Sequence, residues 1–335
     1  MRLGLIGLGR IGAFHAGTLT DLPAVDSLVV TDAVPAVTAE VAGRLGAEPA
    51  DSPEALLKAG VDGVVVAAAT DAHPALILAA VDAGLPVFCE KPVARTMAEG
   101  IEVLRRVEAA GVPAQIGYQR RFDAAYRAAR AAVASGELGP LHTVRAITLD
   151  PAPPPPAYVA VSGGIFRDCS VHDFDIIRWV TGREVAEVYA TGANKGDRSF
   201  TEAGDVDTSA AVLTLDDDTL VIVSNTRYNP RGHDIRMELH GFADSVAVGL
   251  DDQLPLRPLQ AGASFPAGPP WSFFMDRFLD AYRAELAAFT EVVAGRQPSP
   301  CTVADGLEAS WIAEACTLSL HEHRPVRMEE VRHER

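Results

Sequence analysis

Apolar residues form short, nearly unbroken runs over the first third of the chain and alternate with polar residues over much of the remainder. The two patterns predict two kinds of sheet. Residues 2–7, Ser27–Thr31, Asp62–Ala69, Pro86–Cys89 and Pro113–Tyr118 read as strands covered on both faces. Helical stretches separate them: the segment up to Asp21, Val34–Leu45, Pro53–Ala59, Ala72–Ala83 (stopped at Gly84) and the region Thr96–Ala110. Strand–helix alternation of this kind implies right-handed crossovers and a parallel sheet. After Arg120 the pattern changes. One helix near Asp123–Ser135 leads into Leu141–Leu149, Val185–Ala193, Thr208–Leu215, Thr219–Arg227, Asp234–His240 and Ser245–Val248, strands with one helix among them near Ser170–Thr181. Two long helices, Asp276–Ala294 and Thr302–His321, end the chain. The expected architecture is an α/β domain over 1–120, then an α+β domain over 121–335 with a mainly antiparallel, open-faced sheet. The proline run Asp150–Pro156 fits neither a central strand nor a helix, and reads as a linker or as a semi-rigid loop at the rim of an active site.

Composition narrows the partners. The 335 residues carry 45 acidic and 29 basic side chains, a formal charge of −16, which repels nucleic acid and anionic lipid and favours a small ligand. Cys89, Cys169, Cys301 and Cys316 make no Cys-x-x-Cys or zinc spacing, so no metal site is expected and a reducing compartment fits best. The opening MRLGLIGLGRIG is too short and glycine-broken for a membrane span and lacks a signal-peptide cleavage pattern. The expectation is a cytoplasmic protein.

The first chemical motif is Gly7-Leu8-Gly9-Arg10-Ile11-Gly12, placed directly after a strand and before a helix. Gly7 permits the tight turn, Gly9 lets backbone approach a pyrophosphate, and Gly12 allows close helix–strand contact. The free N–H groups of the helix then face the phosphates. This is the glycine turn of a Rossmann domain, with Arg10 and Ile11 inside it. Asp32, 20 positions after Gly12, either accepts the ribose hydroxyls, which favours NAD over NADP, or caps the helix at Val34.

Two further segments hold candidate chemistry. Lys91, in Cys89-Glu90-Lys91-Pro92, sits at the carboxyl end of a parallel strand, where it is either a reacting group or a surface lysine. In Asp168-Cys169-Ser170-Val171-His172-Asp173-Phe174-Asp175, a continuous helix would put Asp168, His172 and Asp175 on one face with an imidazole ready for proton transfer. Alternatively Ser170 and Asp173 form a capping pair, and His172 is an interior histidine.

Together GLGRIGAFH, FCEKPVA, IGYQRRFD and DCSVHDFDIIRW, with FFMDRFLDAYRAELAAF near the end, resemble the Gfo/Idh/MocA oxidoreductases, and within them the inositol 2-dehydrogenases. The resemblance implies NAD as cofactor, a cyclic polyol or sugar as substrate with myo-inositol first, and a homodimer or homotetramer. It implies a catalytic set of Lys91, Asp168 and His172: His172 the base, Lys91 stabilising the developing alkoxide, Asp168 orienting substrate or keeping the lysine charged. Gln119, Arg120, Asp150 and Asp175 are implied polyol contacts, and Thr70, His73 and Glu90 implied neighbours of the cofactor. Many relatives carry a Tyr-Gly-Tyr-Asp segment lining the pocket. Here Tyr228–Asp234 stands in its place, with His233 where a tyrosine falls. Competing expectations are a dehydrogenase of another sugar or anhydrosugar, a non-catalytic NAD-bound sensor, and a glycosidase that recycles its NAD.

Overall fold

The computed structural model describes residues 1–332 as two compact units. The first comprises Met1–Gln119 and Asp280–Glu308. Its strands are β1 (Arg2–Ile6), β2 (Ser27–Thr31), β3 (Glu48–Pro49), β4 (Gly63–Val66), β5 (Val87–Glu90) and β6 (Ala114–Gly117), joined by helices α1 (Arg10–Thr20), α2 (Pro35–Leu45), α3 (Pro53–Leu57), α4 (His73–Asp82) and α5 (Met97–Ala110). The sheet runs β3-β2-β1-β4-β5-β6 with every pair parallel, the order of a Rossmann domain. Leu3, Leu5, Val29, Val30, Val64, Val65, Val66 and Phe88 are fully buried, which is what helices on both faces demand of these strands. The helix α5 is fixed at its start by a capping box between Thr96 and Glu99.

The second unit comprises Arg120–Leu279 with Ala309–Arg335, the last three residues lying outside the described part. It opens on α6 (Ala124–Ser135), whose N-terminal amides are capped by Asp123. Its strands are β7 (Leu141–Leu149), β8 (Val185–Ala193), β9 (Thr208–Leu215), β10 (Leu220–Thr226), β11 (Asp234–Gly241), β12 (Ser245–Val248) and β13 (Val326–Arg327), in the order β12-β11-β7-β10-β9-β8-β13. Among the described residues of this sheet only β7 and β10 pair in parallel; the other pairs are antiparallel. Alternate residues of β7, β9 and β10 point inward, among them Val144, Ala146, Leu213, Leu215, Val221 and Val223. The opposite face is bare. Tyr189 (43% exposed), Val212 (44%) and Ile222 (42%) stand in register across β8, β9 and β10.

Helices α7 (Pro156–Val159), α8 (Val171–Thr181), α9 (Arg198–Glu202) and α10 (Phe274–Arg277) also belong to this unit, as does a last short helix at Met328–Arg332. Two longer helices, α11 (Leu279–Val293) and α12 (Val303–Glu322), precede that last one. They revise the expected division at residue 120. Leu286, Phe289 and Val292 of α11 belong to the same buried cluster as Leu3, Leu5, Val30, Val65 and Phe88, so the segment from Asp280 to Glu308 is part of the first unit. A face of α11 that apolar cannot stay in water, and the sheet of the first unit supplies its cover.

The helix expected at Ser170 starts earlier. Phe166–Ser170 forms a π turn that runs on into α8. Ser170 is not a cap: its hydroxyl donates to Asn225 Oδ1 at 2.6 Å, and Asp173 is fully buried. The capping alternative is therefore excluded. Among the described residues no helix is long and apolar enough to cross a membrane.

Candidate active site

The glycine turn is built as its sequence demands. Gly7 has φ +93°, and a Cβ there would stand 2.5 Å from the Ala68 backbone. A Cβ at Gly12 would overlap the Gly7 carbonyl, so both glycines are required by the packing of the turn itself. Gly9 differs: a Cβ there meets nothing within 4 Å. The protein leaves that space open at the N-terminus of α1, where a pyrophosphate would approach backbone amides, and the seat fits a dinucleotide. Arg10 is exposed and Ile11 half-buried beside it. Asp32 Oδ2 accepts from Leu8 N at 2.7 Å and Oδ1 from Val34 N at 2.9 Å. Its carboxylate thus braces the glycine turn and the start of α2 together, and keeps lone pairs for ribose hydroxyls.

The other first-unit candidates divide. Thr70 is half-buried in the 3-10 turn Thr70–Ala72. His73 is buried, with Nδ1 2.7 Å from the Pro92 carbonyl and Nε2 3.1 Å from the Ala68 carbonyl. It straps the loop after β4 to the segment after β5. Glu90 is also engaged, its Oε1 2.7 Å from His15 Nε2. Lys91 follows directly, half-buried and joined to Pro92 by a cis peptide bond.

In the second unit, polar side chains from four elements converge. Arg227, after β10, is 6% exposed and forks across two carboxylates: Nη1 donates to Asp150 Oδ2 at 2.8 Å, Nη2 to Asp168 Oδ2 at 2.6 Å. The Tyr158 hydroxyl donates to Asp168 Oδ1 at 2.8 Å. Burial alone would lower the Arg227 pKa, but the carboxylates of Asp168 and Asp150 more than offset it and hold it above its ordinary value. The Cys169 thiol beside it is pushed well up, by burial first and Asp150 next, and stays protonated. His233 is 3% exposed, its Nδ1 3.6 Å from Asp150 Oδ1, and among the described residues neither ring nitrogen has a hydrogen-bond partner. Burial, then the charges of Arg120 and Arg277, push its pKa down to about 3. The ring is therefore neutral, and its approach to Asp150 is not an ion pair. His172 is half-buried in the first turn of α8.

Two expected polyol contacts are held in buried ion pairs. Arg120 is 2% exposed and donates from Nη1 to Asp173 at 2.5 Å and from Nη2 to Thr148 at 2.9 Å. Asp175 is fully buried and takes two bonds from Arg121, Nε at 2.8 Å and Nη2 at 2.5 Å. The pairs Arg120–Asp173 and Arg121–Asp175 anchor α8 to the chain entering the unit, so Asp168, His172 and Asp175 do not share one working face. Gln119, at the end of the first unit, is buried. Arg227, Tyr158 and His15 were not singled out from sequence. The arginine two residues before Asn229 and the tyrosine next to the proline run carried no local pattern to mark them. Among the described residues no group of three or more His, Cys, Asp or Glu side chains is arranged to hold a metal.

A dinucleotide seat on a parallel sheet in one unit, with a cluster of buried charged and polar side chains in the other, fits a nicotinamide-dependent oxidoreductase of two-domain build. Comparison with known families makes this specific. Residues 1–118 match the oxidoreductase family with an NAD-binding Rossmann fold, and residues 126–247 match the C-terminal domain of the same Gfo/Idh/MocA group. The chain belongs to the Gfo/Idh/MocA oxidoreductases, and its first domain binds NAD. It is 36% identical to a myo-inositol 2-dehydrogenase of Thermotoga maritima, over 99% of each chain. A solved structure of a probable dehydrogenase from Thermotoga maritima superposes with a TM-score of 0.92 at 34% identity, covering 99% of this chain and 100% of that one. A scyllo-inositol dehydrogenase of Lactobacillus casei, solved with bound NAD(H) and scyllo-inositol, is 28% identical with a TM-score of 0.87, covering 98% and 99%.

Proposed function

We propose that this protein oxidises a secondary hydroxyl of an inositol, myo-inositol first, to the ketone, passing the hydride to NAD. The observation that carries the reading is the Asp150–Arg227–Asp168 bridge with neutral His233 beside it. Fixed carboxylates and a buried imidazole with one donor and one acceptor suit a ring of hydroxyls, each of which donates and accepts. The relatives named as inositol dehydrogenases support the same substrate class.

In this reading His172 takes the hydroxyl proton as the carbon-bound hydrogen departs with its electron pair. Lys91 donates to the same oxygen and stabilises its growing negative charge. Asp168, held by Tyr158 and Arg227, orients the substrate. Bound NAD supplies the electron-pair acceptor. Asp32 disfavours a 2′-phosphate at the ribose, which makes NADP the poorer cofactor.

The test is reduction of NAD over a panel of inositol isomers, pyranoses, anhydrosugars and glycosides. Stoichiometric NADH with myo- or scyllo-inositol is the expected result. Glycoside cleavage without net NADH, or tight NADH binding with no turnover on any polyol, would replace the proposal with a hydrolase or a sensor.

The bare face of the second sheet is read as a contact between copies of this chain, because aligned Tyr189, Val212 and Ile222 make an apolar stripe that water disfavours. Ile222→Glu is expected to shift a dimer or tetramer toward monomer in sedimentation equilibrium. An unchanged mass, or a monomeric parent, refutes that assembly. The protein is read as cytoplasmic: all four cysteines are buried, and no disulfide joins them among the described residues.

A further inference from the structure

Helix α1 begins at the phosphate seat, and His15 lies in its second turn with a side chain that is 0% exposed. The imidazole sits in an aromatic box. Its centroid is 5.9 Å from Phe88 edge-on, 5.7 Å from Tyr282 and 5.8 Å from Phe14. Through Nε2 it holds Glu90 Oε1 at 2.7 Å. Glu90 is the last residue of β5, and Lys91 is the next residue in the chain. The other Glu90 oxygen fits the space left by Gly117 on β6: a Cβ at Gly117 would stand 3.1 Å from Oε2. Held on one side by an imidazole and fitted on the other against a glycine, the carboxylate has one place to be.

Such a pair is a poor device for stability. A phenylalanine would fill the same box without burying a polar ring or its Nδ1, which has no partner among the described residues. The contact has a different geometric consequence. It joins the helix whose first amides would face the cofactor phosphates to the residue that precedes Lys91 in the chain. We propose that His15 is a positioning residue: through Glu90 it fixes the Lys91 backbone relative to the dinucleotide seat, so that one contact sets both cofactor and lysine. This rests on the reading of Lys91 as a participant in the reaction.

The variants are His15→Phe, which keeps the packing and removes the donor, and His15→Gln, whose amide nitrogen reaches the place of Nε2. For His15→Phe the expected outcome is a melting temperature near that of the parent, because Glu90 keeps some access to water. NADH binds more weakly by fluorescence titration, kcat falls about ten- to a hundredfold by the usual cost of a small misplacement, and KM for the polyol changes little. His15→Gln restores most of kcat. In a cycle with Lys91→Met, the double variant loses less than the product of the single losses, because the lysine is already misplaced.

A kcat for His15→Phe within about twofold of the parent, a His15→Gln variant as slow as His15→Phe, or strictly multiplicative losses would each overturn the proposal. Lys91→Met alone separates the two ideas. If it is inactive while His15→Phe is normal, only the positioning role falls. If it turns over at the parental rate, the catalytic reading of Lys91 falls and takes the positioning role with it.

Discussion

Replacing His172 by alanine is expected to lower kcat by at least about two orders of magnitude, the general-base contribution lost when no group receives the hydroxyl proton. The hydroxyl of a polyol is a very weak acid. Hydride departure without concerted proton removal would leave a protonated ketone, and a carboxylate, being a weaker base than an imidazole, is a poor substitute acceptor. His172 is in the first turn of α8 and outside the buried pairs that anchor that helix, so the variant keeps its fold. NADH should bind as tightly as to the parent, since the seat at Gly7–Gly12 is made by the first unit alone. The measurement is single-turnover formation of the NADH band with saturating myo-inositol. Near-parental rates in His172→Ala would remove the imidazole from the mechanism. His233 offers no alternative base: with a pKa of about 3 it is neutral but too weak to hold a proton at neutral pH.

Replacing Asp173 by alanine is expected to destabilise the protein by about 3–5 kcal/mol, the cost of breaking a buried ion pair from one side. Asp173 is fully buried and accepts from Arg120 at 2.5 Å, Thr148 at 2.8 Å and Asn225 at 2.7 Å. These donors come from the chain entering the second unit, from β7 and from β10. Burial pulls the Arg120 pKa down, and Asp173 more than compensates. Without the carboxylate a guanidinium 2% exposed has no charge to meet. Loss of the aspartate therefore costs more than the sum of three ordinary hydrogen bonds suggests. Urea unfolding should show a lower midpoint with an unchanged slope. A loss below about 1 kcal/mol would mean that packing of α8 on β7, not this network, holds the two elements together.

These two residues mark how far the sequence could be read. Apolar runs and alternation located β7, β8, β9 and β12 to the residue and placed the Rossmann unit and its glycine turn, because local periodicity reports burial directly. The two-residue edge strands β3 and β13 were missed, since so short a pairing leaves no pattern. Arg120 and Asp175 were read as substrate contacts. The sequence displays Arg120-Arg121 and Asp173-x-Asp175 plainly, but not that they neutralise one another across more than fifty residues. The same blindness hid Arg227, whose meaning lies in joining Asp150 and Asp168. It also hid His15, which looked like one more residue of a helix. Pairings of this kind are set by topology, and a chain read one residue at a time does not contain them.

The return of α11 to the first core has a consequence for how the protein is made. The cluster around Leu5, Val30, Val65 and Phe88 is closed by Leu286, Phe289 and Val292, so the first unit cannot complete its core when its own strands have left the ribosome. It must wait while Arg120–Leu279 of the second unit is translated, on the order of ten to forty seconds at usual elongation rates. For that interval the nascent chain carries an unfinished apolar surface, and the second unit, though later in sequence, is nearly all synthesised before the first can finish folding.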